Sequence, residues 1–182
     1  HKHNIKTMNV VATKEDFGYT AKYCTYCTLD DESMQTYFPY ETVKLSKTSY
    51  TYDGKEKKPG VTVTDVLDQP ISKSEYTVTY PKSAKNVGKY TVTIKFKNHY
   101  AGTEKRTFTI NPKGTSLSKV TSPKKAQLKV TWKKQATQTT GYQVQYSTDK
   151  NFKKGNKTVT VKGAKTNAKT ISKLTKGKKY YV

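Results

Sequence analysis

The sequence predicts an all-β chain: tandem small β-sandwich modules preceded by a small separate N-terminal unit. Three observations carry that expectation. Short segments alternate apolar and polar residues with the two-residue period of a half-buried strand, and turn pairs rich in Gly, Pro, Asn and Asp punctuate them. The aromatic content is mostly Tyr, 15 residues against 5 Phe and 1 Trp, and with abundant Thr and Val this suits pleated sheet surfaces. A hydrophobic content of 32% and a mean hydropathy of −0.90 are low for one large core, so 182 residues are expected to divide among thin sandwiches.

Residues 1–40 form the first predicted segment, a small unit and linker. It contains both cysteines, two of the three histidines and the acidic stretch Asp30-Asp31-Glu32. Tyr37-Phe38-Pro39-Tyr40 reads as a linker or first-strand entry, because Pro39 bars a helix there.

Residues 41–112 form the second. Thr42–Leu45 opens it, and Tyr50-Thr51-Tyr52 runs into the turn pair Asp53-Gly54. Val61-Thr62-Val63 follows the turn Pro59-Gly60, and Tyr76–Tyr80 alternates so that Tyr76, Val78 and Tyr80 share a face. Tyr90–Phe96 is the clearest strand, and the turn Tyr100-Ala101-Gly102 leads to Thr107–Ile110. Beyond Asn111-Pro112-Lys113-Gly114, the third segment, 113–182, alternates again over Leu128–Trp132, Gly141–Tyr146, Thr158–Val161 and Thr170–Leu174. Tyr180-Tyr181-Val182 reads as the start of a further strand.

Charge is graded along the chain. Residues 1–40 hold four Lys and five acids, residues 41–112 twelve Lys, Arg106 and seven acids, and residues 113–182 eighteen Lys and Asp149 alone. The net charge of these segments is −1, +6 and +17, which points to an anionic partner for the last one. Arg106 is the only arginine. Base readout leans on the planar guanidinium fork, so specific nucleic-acid recognition is not expected. Lysine alone gives salt-sensitive attraction suited to anionic wall polymers, glycans or acidic surfaces. The pairs Lys124 and Lys125, Lys133 and Lys134, Lys153 and Lys154, and Lys178 and Lys179 are the expected contacts. A solvated face that keeps the chain soluble is the plain alternative.

The sharpest constellation is His1, His3, Cys24 and Cys27. Cys-x-x-Cys presents two thiolates to one ion and His-x-His two imidazoles, a donor set that suits tetrahedral zinc. A unit too small to bury a core gains folding energy from such a staple. A local disulfide between Cys24 and Cys27, free thiols, or a site without His1 and with an upstream ligand are the competing readings.

Catalytic arrangements are sparse. No Gly-x-Ser-x-Gly elbow or phosphate-binding glycine loop is present. His99 is expected as an exposed turn residue, and Asp65 and Asp68 as turn polars. No catalytic residue and no cofactor other than zinc is expected. The strand tyrosines, Tyr50, Tyr52, Tyr76, Tyr80 and Tyr90, are expected in the core with hydroxyls at the rim, ahead of a glycan-stacking role.

Resemblances extend this reading. Trp132, Tyr142, Tyr146 and Leu174-Thr175-Lys176-Gly177-Lys178-Lys179-Tyr180 resemble the core aromatics and Leu…Gly…Tyr signature of fibronectin type III domains over residues 115–182. The resemblance implies a seven-stranded sandwich whose corner tyrosine bonds back to the backbone, with the sixth strand beginning where the sequence stops. Tyr50–Gly54 with Lys57-Lys58-Pro59, Asn86–Tyr90, His99–Thr103 and Phe108–Ile110 resemble the Tyr-Asp-Gly (MBG-type) repeats of bacterial surface proteins, which implies an Ig-like β module. The His/Cys layout resembles a short zinc-ribbon-like unit found ahead of such modules, where a Cys usually stands in place of His1.

Together these imply a non-catalytic spacer, adhesion or binding region of a longer secreted or cell-surface bacterial protein, associated with the cell wall. Its expected partners are an anionic wall polymer or glycan, or a host surface protein. No transmembrane segment is expected, since no stretch of about 18 apolar residues occurs. The rival expectation is an accessory region of an exported enzyme, such as a peptidase, transglutaminase-like enzyme or wall hydrolase, whose catalytic domain lies elsewhere.

Overall fold

A computed structural model describes residues 3–26 and 34–182. These form fourteen strands and one 3-10 turn, with no α-helix among the described residues. The chain divides into two compact units, one of His1–Tyr50 with Gly54–Ile110 and one of Thr51–Asp53 with Asn111–Val182. No helix among the described residues is long and apolar enough to cross a membrane.

The first unit opens with an antiparallel sheet of β1 (Ile5–Val10), β2 (Gly18–Cys24) and β3 (Gln35–Tyr37), in that order. Ile5 lies opposite Cys24 and Val10 opposite Tyr19. All six residues of β1 are exposed. Gly18 is required by close approach, because a Cβ there would lie 2.3 Å from the Ala12 nitrogen. Ala12 is fully buried and docks the sheet through its backbone. Its N–H donates to the His99 carbonyl at 2.7 Å, and its carbonyl accepts from Ala101 at 2.8 Å.

The rest of this unit consists of two sheets. β4 (Tyr40–Leu45) pairs with β6 (Val61–Asp65) in one. The other has the order β5-β9-β8-β7, from β5 (Ser49–Thr51), β7 (Tyr76–Thr79), β8 (Gly88–Phe96) and β9 (Thr103–Asn111). Alternation decides the burial. Val92, Ile94 and Phe96 are buried on β8, while between them Thr93 is half-buried and Lys95 exposed. Phe108, Ile94, Ile110, Val63 and Val92 are the most deeply enclosed, each stabilising the fold by about 1.5–3 kcal/mol. Tyr40 stacks on Phe96 at 4.0 Å between ring centroids, across the two sheets. Arg106 ties them further: its Nε donates to the Val43 carbonyl at 2.8 Å, and Nη1 reaches Glu104 at 2.6 Å.

The second unit has two sheets sharing one core. β10 (Leu117–Thr121), β11 (Leu128–Trp132) and β14 (Ala168–Ile171) form one, in the order β10-β11-β14. β12 (Gly141–Tyr146) and β13 (Lys157–Lys162) form the other. Val130, Trp132, Val144, Tyr146, Val161 and Ile171 make the core, with Tyr142, Leu174 and Tyr180 packed against it. Ser147 forms an antiparallel bridge to Tyr181. That bridge brings the segment after β14 alongside the end of β12.

The expected strand regions of 41–112 and 113–182 contain strands, except Tyr180–Val182, where Tyr181 forms only an isolated bridge to Ser147. The strands β1, β2, β3 and β10 lie where the sequence pattern marks none.

Candidate functional site

In the second unit, strand pairing brings three loops to one end. The β10–β11 connection carries Lys124 and Lys125. Because Leu128 pairs with Ile171, the segment after β14 leaves at that same end, carrying Lys173, Lys176, Lys178 and Lys179. A backbone bond of 3.1 Å from Leu174 to the Ala126 carbonyl joins these two loops. The third loop, between β12 and β13, carries Lys150, Lys153 and Lys154. It is brought in by Ser147 and Tyr181, whose backbones exchange bonds of 2.9 and 2.7 Å. All nine lysines are exposed to solvent.

Two recesses mark this end. Lys125, Lys176 and Lys178 line one of about 250 Å³, together with Ser122 and Tyr180. Lys150 and Lys154 line another of about 560 Å³ with Thr148, Asp149, Gly155 and Tyr181. The Lys179 ammonium lies 5.3 Å from the centre of the Tyr181 ring, within the range of cation–π attraction. Lys133 and Lys134 are placed differently. They follow Trp132 at the opposite end of β11, so the eight expected lysines do not form a single surface.

Asp149 is the one acidic side chain among residues 113–182, and its carboxylate is taken up by the backbone. Oδ1 accepts from Asn151 N–H at 3.0 Å, and Oδ2 from Lys153 and Lys154 N–H at 2.9 and 3.2 Å. These bonds, that from Asn151 foremost, hold its pKa below the ordinary carboxylate value. The loop is fixed further by Ser147, which is buried and donates from Oγ to the Lys154 carbonyl at 2.8 Å. Asn156 Nδ2 donates to the Phe152 carbonyl at 2.6 Å.

The expected metal ligands are only partly described. His1 and Cys27 lie outside the described residues. The Thr25 N–H donates to the Asn4 carbonyl at 3.1 Å, which extends the β1–β2 pairing and leaves His3 and Cys24 at the same end of the hairpin. Cys24 is buried. Among the described residues no three His, Cys, Asp or Glu side chains gather as a metal-binding group.

His99 departs from expectation. It occupies a turn, but its imidazole is two-thirds enclosed, with 34% of the side chain exposed. It stacks on Tyr37 at 4.2 Å, and Glu75 Oε2 lies 3.2 Å from Nδ1 and accepts from the His99 N–H at 3.1 Å. Asp65 is buried and organises a turn, accepting from Leu67 and Gln69 N–H at 2.9 Å each. Of the five strand tyrosines Tyr76 is buried and Tyr50, Tyr52, Tyr80 and Tyr90 are half-buried; Tyr80 donates to the Pro59 carbonyl at 2.6 Å and Tyr90 to that of Asn86 at 2.8 Å. Burial raises the pKa of Tyr76 and Tyr80, in keeping with a packing role.

No protein-family model matches this chain, and no curated protein is similar enough to be counted as a relative.

Proposed function

We propose that the chain is a non-catalytic spacer and binding region of a secreted or cell-surface protein, and that its second unit holds an anionic cell-wall polymer or glycan through lysines. The observation that carries this reading is the convergence of three lysine-bearing loops at one end, where the single acid is occupied by backbone N–H groups. Ammonium groups without acidic partners attract polyanions and release counterions on contact.

The domain resemblances fit the same reading. A three-stranded sheet facing a two-stranded one suits a fibronectin type III-like sandwich. The Tyr180 hydroxyl, which accepts from the Thr175 N–H at 3.1 Å, occupies the place of the corner tyrosine. The paired sheets of the first unit, with Gly54 at a φ of 78° after Asp53, suit an Ig-like Tyr-Asp-Gly module. A structural zinc at the N-terminal hairpin belongs to this reading too, with His3 and Cys24 as two donors and His1 and Cys27 as the residues to complete it. One equivalent of zinc, released by chelator, supports that assignment. Its absence from purified protein rejects it.

Binding of the full chain to a purified anionic wall polymer, measured at rising salt, tests the main reading. Affinity is expected to fall about a hundredfold between 50 and 200 mM salt. No binding at low salt, or affinity indifferent to salt, overturns it.

A further inference from the structure

We infer that the free edge of β12 binds an extended segment of another protein as an added antiparallel strand, apolar at every second position and acidic beyond the paired stretch. Such binding goes beyond the polyanion reading and does not depend on it, because backbone groups rather than ammonium groups carry it.

Ladder geometry defines the edge. β12 pairs with β13 over Gly141–Tyr146, and the Gly163 N–H donates to the Thr140 carbonyl at 2.9 Å. Alternation along an antiparallel ladder then turns the backbone groups of Tyr142, Val144 and Tyr146 toward β13 and those of Gln143, Gln145 and Ser147 the other way. Ser147 already uses its outward groups, exchanging bonds of 2.9 and 2.7 Å with Tyr181. Gln143 and Gln145 have no strand beside them among the described residues. An N–H and a carbonyl at every second residue repeat as a polypeptide strand repeats, which is the basis of recognition by strand addition.

The same edge opens onto an apolar recess. Gln143, Val144 and Gln145 line about 260 Å³ together with Leu117, Trp132 and Val182, and Leu117 is 48% exposed. In the antiparallel register of Ser147 with Tyr181, Val182 stands opposite Tyr146 and packs against the core. An added strand takes the same line. Its residue opposite the buried Val144 lies on the inward face and is apolar, and its residues opposite Gln143 and Gln145 face solvent and are polar. Charge selects what flanks it. Thr115 and Phe152 also line the recess. Lys133 donates its N–H to the Ser116 carbonyl next to the first at 3.0 Å, and Lys153 follows the second; both lysines are exposed. With eighteen Lys and Asp149 alone in residues 113–182, a second copy is repelled from this edge and an acidic segment is attracted.

The full chain and a seven-residue peptide that alternates Thr and Val and closes on two Glu provide the test. Trp132, the sole tryptophan, lines the recess, so a saturable change in its emission is expected on binding. N-methylation of the Thr amides that face Gln143 and Gln145 is expected to weaken binding about tenfold, and N-methylation of the Val between them, whose N–H points away, by less than about threefold. Gln143→Pro removes an outward N–H and no bond to β13, a change edge strands tolerate. It is expected to weaken binding about threefold to tenfold, with Gln143→Ala close to the parent. The methylated peptides keep the test open should Gln143→Pro unfold.

No saturable change, or equal losses from the two methylations, overturns strand addition. Equal affinity for a peptide closing on two Gln overturns the acidic partner. Dimers of the chain in sedimentation, lost in Gln143→Pro, overturn a foreign partner and assign the edge to a second copy.

Discussion

Glu104 in the first unit holds Arg106 at 2.6 Å and Lys14 at 3.6 Å, whereas Asp149 in the second accepts three backbone N–H groups. In the first unit, charged groups are also structural parts: Arg106 links two sheets, and Glu75 anchors the turn at His99. In the second, the lysines of the converging loops are exposed, with Lys179 lying over the Tyr181 ring. Self-repulsion of such a surface costs stability. Charge in one unit serves folding, while in the other it faces solvent.

The largest expected effect would break the comparison at its base, which is that both units rest on ordinary apolar cores. Phe108→Ala, at a fully buried site, is expected to cost about 3–5 kcal/mol in urea denaturation. A loss below 1 kcal/mol would mean that the sandwich core is not what holds the first unit. A smaller effect sharpens the contrast in charge. Arg106→Ala removes the hydrogen bond to Val43 and the contact with Glu104, and is expected to destabilise by about 1.5–3 kcal/mol. Removing Lys150, Lys153 and Lys154 together is expected to leave stability within about 0.5 kcal/mol per site, or to raise it. Similar losses from both changes would erase the distinction.

The smallest effect concerns pH. The carboxylate of Asp149 is favoured in the folded state, so its contribution is full above the ordinary carboxylate range and fades as pH falls through the lowered folded value. Exchange protection of the Lys153 and Lys154 amides should therefore persist into mildly acidic solution and be lost only below that range. Protection lost near neutral pH would show that another group holds the loop.

Much of the fold was legible because strand alternation is local. Tyr90–Phe96 announced β8 through neighbouring residues alone, and the turn at Asp53-Gly54 needed only its own chemistry. β1 was harder to read. Its residues all remain exposed, so no apolar face imposes a pattern on Ile5–Val10. His99 looked like a bare turn residue because the ring that covers it, Tyr37, lies some sixty positions away in the sequence.

Strand chemistry, the steep rise in positive charge and the solitary acid of the last seventy residues are properties of composition or of neighbouring positions. Tertiary structure alone decided which lysines meet. Lys124, Lys154 and Lys178 come to one end because β11 pairs with β14 and Ser147 with Tyr181, while Lys133 and Lys134 leave at the other. Pairing between distant strands sets that arrangement, and no local period encodes it.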